Sequence, residues 1–283
     1  RWLPLSRGLG DVYKRQGCYW HRCAFCDTSQ DYIARYRPLP TETLLAQTAQ
    51  IVRQTGLTGI HFVDEAMPAA GAARYAEALA RAAAEGSLPA LVWWGNVRYD
   101  RSFRPEIAQA MGKGGCIGVS GGMEGVHPRI LAAMDKGCTI QEMAHSLGAF
   151  ADAGIMTHAY LIHGFPGTTV QETVDALEMI RQCFAAGILH SAFWHRFILT
   201  VHSPAYRDPA RFGITRIIEP DSSFARNDVS YEADGSPDTD WMGQGLKTAV
   251  YNWMNGAGLD RPVDSWFDRP APATSLAPDF IRV

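Results

Sequence analysis

Strand-like apolar runs alternate with amphipathic helical segments over residues 41–201, and this alternation constrains the fold more than any other feature. Helical periodicity first runs from Thr41 to a stop signal at Gly56, and it returns after each short apolar run. Strands that alternate with helices of this length pair in parallel through right-handed crossovers. The pattern predicts an α/β barrel or open sheet with strands at 60–63, 91–97, 116–120, 155–162 and 191–201 and helices at 41–55, 69–84, 105–113, 140–153 and 170–184.

The two ends of the chain fall outside this alternation. Residues 10–16 resemble a translated sequencing adapter, so we interpret residues 1–16 as a non-native leader. The core is expected at residues 17–215, with a sixth strand immediately before the cysteines described below. Residues 216–283 are expected to form an irregular extension packed on the core, with one helical stretch at 241–255.

Composition narrows the class of protein. The apolar fraction of 47% is too high for a disordered chain, and six cysteines in 283 residues are too few for a disulfide scaffold. The chain has no apolar run of membrane-spanning length and no signal-peptide pattern, so we expect a cytoplasmic protein without membrane association. A net charge of −3 gives no support for binding to nucleic acid or anionic lipid.

Three cysteines within nine positions, Cys18, Cys23 and Cys26, indicate a metal site. Thiolates select zinc, copper(I) or iron-sulfur clusters. A structural zinc site needs four ligands, and the local fourth would be His21, which is poorly spaced for a zinc finger. The other cysteines, Cys116, Cys138 and Cys183, show no partner spacing and are expected to be buried. An iron-sulfur cluster on three ligands would keep one iron open, while a zinc-stabilised binding module is the alternative.

Further motifs follow predicted strands, where parallel α/β proteins build ligand sites. They are Asp64-Glu65, the segment 121–124 (Gly-Gly-Met-Glu), the segment 134–137 (Met-Asp-Lys-Gly) and the turn 164–168 (Gly-Phe-Pro-Gly-Thr). Together with the cysteines, these motifs resemble those of the radical S-adenosylmethionine (SAM) superfamily over about residues 17–214. The segments 134–137 and 193–204 are similar to the subgroup often fused to a cobalamin-binding domain.

The resemblance implies a partial (β/α)6 TIM-like barrel and a set of cofactor ligands. Cys18, Cys23 and Cys26 would hold a [4Fe-4S] cluster whose fourth iron chelates SAM. The residues expected at SAM are Phe25, whose backbone would meet the adenine, Asp64 and Glu65 near the ammonium, Gly122 and Glu124 near the ribose or amino group, and Gly164 near the adenine. The sequence departs from the family pattern at two points. Four residues, rather than three, separate Cys18 from Cys23, and Asp64 stands in place of a glycine.

The resemblance also implies an activity and partners. The enzyme would cleave SAM reductively to methionine and a 5′-deoxyadenosyl radical, which abstracts hydrogen from an unknown substrate. An external electron donor such as flavodoxin or ferredoxin would supply the electron. The chain contains no Asp-x-His-x-x-Gly signature, so a cobalamin-binding domain would lie upstream in a parent protein. A catalytically incomplete fragment of such a protein is a further alternative.

Several other residues near strands have two interpretations. Arg98, His163, His195 and His202 could contact substrate or serve as structural polar groups. The pairs Trp93-Trp94 and Phe193-Trp194 are predicted to pack in the core, since no basic groove accompanies them.

Overall fold

A five-stranded parallel sheet forms the centre of the molecule, with its strands side by side in the order of the sequence. The structure is a computed structural model that describes residues 17–218, 227–233 and 239–282. The predicted leader at 1–16, and the sixth strand expected within it, lie outside the described residues. The strands are β1 Gly59–Met67, β2 Val92–Val97, β3 Cys116–Glu124, β4 Met156–His163 and β5 Ser191–Arg196.

Helices connect the strands and begin and end at local signals in the sequence. They are α1 Asp31–Ala34, α2 Thr41–Thr55, α3 Ala69–Ala84, α4 Pro105–Lys113, α5 Pro128–Ala133, α6 Ile140–Asp152 and α7 Val170–Ala185. Gly56 ends α2 in the left-handed conformation that glycine adopts at low cost. Thr139 and Thr169 begin α6 and α7 with capping boxes, in which each threonine and a glutamate three residues later satisfy each other's backbone N–H groups.

The two faces of the sheet have different surroundings, because successive residues of a strand point to opposite sides. One face packs against the helices in a continuous hydrophobic core that includes Trp93 and Trp194. The opposite face, here called the inner face, exposes Trp94 and Phe193, which keep 42% and 47% of their surface accessible. The prediction that both tryptophan-containing pairs are core residues was therefore right for one member of each pair and wrong for the other.

Three predicted strand boundaries differ from the structure. β1 continues through Asp64 and Glu65, and β3 continues to Glu124, so these motifs lie within strands rather than after them. In β3, the extension pairs Gly121 and Gly122 with β4, a long-range contact that a local pattern does not reveal. The predicted strand at 191–201 is interrupted: β5 ends at Arg196, and a two-residue strand, β6 Leu199–Thr200, turns away to a different sheet.

The later segments of the chain pack around β5 and α7. After the short helix α8 Pro204–Arg207, the strands β7 Ile214–Ile218 and β8 Asp228–Ala233 join β6 in an antiparallel sheet. Helix α9 Met242–Met254 contacts β5 and α7. The carboxylate of Asp175 on α7 accepts hydrogen bonds from Ser275 N (2.8 Å) and Oγ (2.7 Å). No helix within the described ranges is long and apolar enough to cross a membrane.

The architecture confirms the predicted α/β class. A parallel sheet that carries its connecting helices on one face is the arrangement of a (β/α) barrel, and the five described strands form part of one. The carboxyl ends of β1 to β4 lie along one edge of the sheet, and the site described next lies at that edge.

Candidate functional site

Three free thiols lie together in an irregular loop, residues 17–26, which we call the cysteine loop. Cys23 is buried, while Cys18 and Cys26 are half-buried. Burial raises the pKa of Cys26 to about 12, and the neighbouring thiols of Cys23 and Cys18 contribute to this increase. The three groups are thus close enough to oppose one another's ionisation. A bound cation would reverse this effect, because metals bind the thiolate form.

Main-chain hydrogen bonds from distant segments hold the cysteine loop in place. Cys18 N donates to the carbonyl oxygen of Ile33 at 3.0 Å, and Ala24 N donates to that of Met134 at 2.8 Å. The carbonyl oxygen of Ala24 accepts from Ala205 N at 3.0 Å. Since the loop has no regular secondary structure of its own, these bonds fix the positions from which the thiols project.

The side chain of Trp20 locks the cysteine loop onto the segment that follows α5. Its indole Nε1 donates to the carbonyl oxygen of Asp135 at 2.7 Å. The ring lies against Gly137, where a Cβ atom would run into it, and the guanidinium of Arg98 sits 4.8 Å from the ring centre. Arg22 adds an ion pair with Asp135 at 3.1 Å. The segment 134–137 therefore supports the cysteine loop, and we call it the seat of the loop.

A buried ion pair joins the end of β3 to the same seat. Lys136 Nζ lies 3.0 Å from Glu124 Oε1, and both side chains are less than 10% exposed. Gly122 lies directly beside the pair, where a Cβ atom would overlap the carboxylate. Burial raises the pKa of Cys23, and the charge of Lys136 opposes that increase. The ammonium group is therefore near the cysteine loop as well as near Glu124.

Arg98, which directly follows β2, links these parts. Its Nη2 donates to the carbonyl oxygen of Lys136 at 2.7 Å, and its Nε lies 3.7 Å from Asp100 Oδ2. Asp100 also accepts a hydrogen bond of 2.9 Å from the hydroxyl of Tyr19 in the cysteine loop. Of the two interpretations open for Arg98, the structure supports a structural polar group. In the sequence, the only signal for Arg98 was its position directly after a predicted strand. Its partner Lys136 is distant along the chain, so no local motif connects the two residues.

The two acidic residues of β1 occupy different surroundings. The negative charge of the Glu65 carboxylate is close enough to Cys26 to help raise the pKa of that thiol. Asp64 is buried and lines a cavity of about 190 Å³ together with Tyr36 and Phe62. Burial raises the pKa of Asp64 to about 6, and its Oδ1 atom has no hydrogen-bond partner. The structure thus brings Glu65, but not the Asp64 carboxyl group, toward the cysteine loop.

The turn after β4 borders a larger cavity. Gly164 adopts a φ of 74°, and Phe165 is buried with its ring 5.0 Å from that of Phe197. A cavity of about 570 Å³ opens beside this turn and is also lined by residues of β8. Phe25, in the cysteine loop, is half-buried and packs against the same hydrophobic cluster as Phe165. Phe25 and the turn at Gly164 are thus connected through the hydrophobic cluster that contains Phe165.

Unfavourable backbone conformations concentrate around this site. Among the described residues, the non-glycine residues with positive φ are His21, Glu124, Val126 and Asp135. They lie in the cysteine loop, at or just after the end of β3 and in the seat of the loop. Such conformations cost about 1–3 kcal/mol each and tend to persist at functional sites.

The donor set of the cysteine loop fits an iron-sulfur cluster. In the part of the chain that the structure describes, no group of three or more His, Cys, Asp or Glu side chains could hold one metal ion. His21, the proposed fourth zinc ligand, donates from Nδ1 to the carbonyl oxygen of Cys18 at 3.0 Å. Three thiols in one loop, backed by buried cationic residues, fit such a cluster.

Comparisons with known proteins agree with this chemistry. The family model described as the radical SAM superfamily matches residues 15–180, more than half of the chain. An uncharacterized methyltransferase of Pyrococcus horikoshii, PH0819, is 27% identical over 186 residues, which are 64% of this chain and 39% of the relative.

Two solved structures share the fold. The methyltransferase TsrM from Kitasatospora setae, with cobalamin and a [4Fe-4S] cluster bound, has a TM-score of 0.59 at 20% identity over 69% of this chain and 38% of its own. The cobalamin-dependent enzyme OxsB, with aqua-cobalamin bound, has a TM-score of 0.63 at 15% identity over 85% of this chain and 40% of its own. The chain spans about two fifths of the length of these relatives. Because the family model covers most of the predicted core, the chain belongs to the radical SAM superfamily, a class of enzymes whose cofactors are a [4Fe-4S] cluster and S-adenosylmethionine.

Proposed function

We propose that Cys18, Cys23 and Cys26 hold a [4Fe-4S] cluster and that the chain cleaves SAM reductively to begin radical chemistry on a further substrate. The observation that carries this proposal is three free thiols in one loop at the carboxyl edge of a parallel sheet. When bound, the cluster supplies the electron that splits SAM into methionine and a 5′-deoxyadenosyl radical.

The chain's own residues bind and orient SAM in this proposal. Glu65 accepts a hydrogen bond from the SAM ammonium, since its carboxylate is close enough to Cys26 to act on that thiol. The carboxylate of Glu124 is held by Lys136 Nζ at 3.0 Å, and it contacts the ribose or the amino group of SAM. The carboxyl group of Asp64 faces a separate cavity, so Asp64 contributes through its main chain, whose carbonyl oxygen accepts from Asn96 Nδ2 at 3.0 Å.

The remaining proposed contacts concern the adenine and the ribose. We assign the adenine to the cavity beside the turn at Gly164, which is connected to Phe25 through the hydrophobic cluster around Phe165. Gly122 permits the close approach of the Glu124 carboxylate, because a side chain at this position would overlap it. These groups exclude water and fix orientation, while the cofactors carry the difficult chemistry.

Anaerobic reconstitution with iron and sulfide tests the proposal. We expect a brown protein with about four irons per chain that converts SAM to 5′-deoxyadenosine and methionine once reduced. Alanine at Cys18, Cys23 or Cys26 should abolish the cluster, whereas Cys116→Ala, a buried cysteine remote from the loop on the helix-facing side, should retain it. A colourless protein that binds only zinc, or equal loss of iron in the Cys116 variant, would refute the proposal.

The complete parent protein is expected to contain more than this chain. We propose an upstream cobalamin-binding domain as a partner, supported by the cobalamin in both structural relatives. We further propose flavodoxin or ferredoxin as the electron donor and the cytoplasm as the location, because free thiols persist in a reducing compartment. If the chain is instead a catalytically incomplete fragment, it will bind the cluster yet fail to cleave SAM, while the longer parent succeeds.

A further inference from the structure

The inner face of the sheet has a floor without large side chains. On β3, the inner-face positions are Gly118, Ser120 and Gly122. Gly118 pairs with Trp94 on β2 and with Met156 on β4, and a Cβ atom at Gly118 would stand 3.7 Å from the Cβ of Trp94. The central strand therefore leaves a channel between the side chains of its two neighbours.

Aromatic and imidazole rings form the walls of this channel. On one side, Trp94 stacks on His61 with ring centres 4.6 Å apart and planes inclined by 22°. On the other side, the ring of Tyr160 lies 4.9 Å from that of His158, whose Nδ1 shares a 2.8 Å hydrogen bond with Ser191 Oγ. Trp94 and Tyr160 are each 42% exposed, so both offer ring surface to a ligand.

Acidic side chains and those of Lys and Arg lie only at the borders of the described channel. The inner-face positions of the five described strands, before Glu65 on β1 and the ion pair at the end of β3, include no Asp, Glu, Lys or Arg. Burial lowers the pKa of His61 and of His158, which keeps both imidazoles uncharged at neutral pH. Lys247 of α9 stands at the border, 5.8 Å from the ring centre of Phe193.

One end of the channel opens onto the proposed cofactor site. Gly122, the last floor residue, lies beside both the carboxylate of Glu124 and the ammonium of Lys136. The channel and the residues assigned to SAM are therefore continuous through β3. A molecule in the channel would have one end next to the place where SAM is cleaved.

We propose that this channel binds the substrate and that the substrate is a neutral, planar, unsaturated ring compound. This inference rests on the proposed function, because it assigns the substrate class of the same site. A flat ring fits over a floor of glycine and serine, and stacking on Trp94 and Tyr160 favours an unsaturated ring over a saturated one of equal size. The absence of charged groups on the floor and walls that the structure describes selects against a charged ligand.

Binding of a matched pair of neutral probes tests the inference without cluster chemistry. Benzamide and cyclohexanecarboxamide differ only in the saturation of the ring, and saturation-transfer NMR on the full chain gives the affinity for each. We expect benzamide to bind roughly 2- to 13-fold more tightly. Gly118→Val, which fills the floor, should weaken benzamide binding about tenfold or more, and Trp94→Leu should remove the preference for the unsaturated ring.

Gly59→Val is the matched control, because it adds the same side chain at the amino end of β1. A Cβ atom there would stand 4.0 Å from its nearest neighbour, Val92 Cγ2. This variant should bind benzamide as the parent chain does, with circular dichroism confirming that all variants are folded. Equal affinity for the two probes, no benzamide binding at millimolar concentration, or unchanged binding in folded Gly118→Val would overturn the inference. The probe assay is independent of SAM cleavage, so either proposal can fail while the other stands.

Discussion

The Glu124–Lys136 pair gives the sharpest test of how the site is held together. Replacing Lys136 by methionine keeps much of the length of the side chain but removes its charge. The carboxylate of Glu124, only 9% exposed, then loses the ammonium that lies 3.0 Å away. A buried charge without a partner is the costly case, whereas a buried pair replaced as a whole by apolar side chains is often neutral.

The expected magnitude follows from that asymmetry. Removing one partner of a buried ion pair costs about 3–5 kcal/mol of unfolding free energy. A chain of this length has an unfolding entropy of about 0.6 kcal/mol per degree, so Lys136→Met should lower Tm by roughly 5–8 °C. The double variant Glu124→Met/Lys136→Met leaves no charge behind and should recover more than half of that loss.

Urea denaturation followed by circular dichroism, with all variants in the same metal state, measures the effect. Arg104→Met is the control, since Arg104 and Glu106 form an ion pair of 2.9 Å whose side chains are 67% and 62% exposed. Its loss should cost less than about 1 kcal/mol, as is usual for surface pairs. If Lys136→Met matched this control, or if the double variant were less stable than the single one, the reasoning from burial would be wrong.

Two further predictions concern other parts of the site. Gly137→Ala places a methyl group against Trp20 and should lower both the iron content and the urea midpoint. The control is Gly154→Ala, because Gly154 has the same φ of 71° but open space around it. This control measures the cost of the backbone strain alone, about 1–2 kcal/mol. Burial lowers the pKa of His163 from 6.5 to about 4. Between these two pH values the imidazole binds a proton in the unfolded chain but not in the folded chain, so the folded state loses stability as pH falls below 6.5. His163→Phe should reduce the stability lost between pH 7 and pH 5 by about 2 kcal/mol, and urea midpoints that fall equally in both proteins would contradict this.

Local signals explain what could be predicted from the sequence. Helix α2 begins at Thr41 and ends before Gly56 as expected, because its start and its left-handed stop are properties of adjacent residues. The loop cysteines were recognisable for the same reason, since their spacing alone suggests a common metal. Predictions that depended on strand ends were weaker. The polar pair Asp64-Glu65 suggested the end of a strand, yet β1 continues to Met67 and the Asp64 carboxyl faces a cavity.

Long-range contacts account for what the sequence did not reveal. Arg98 and Lys136 are 38 residues apart, and Trp20 and Asp135 are 115 residues apart. No periodicity or motif connects such positions, so the network beneath the cysteine loop emerged only with the fold. The channel on the inner face is similar, because it requires knowledge of which side of each strand is covered by helices.

The bonds that hold the cysteine loop also fix an order of biosynthesis. Ala24 is bonded both to Met134 and to Ala205, so the loop reaches its final shape only after the chain has been made and folded through residue 205. A ribosome releases the thiols long before their anchors exist. Until then they are unorganised and open to capture by any thiophilic ion. Insertion of a cluster into this loop would therefore follow synthesis and folding of the chain through residue 205.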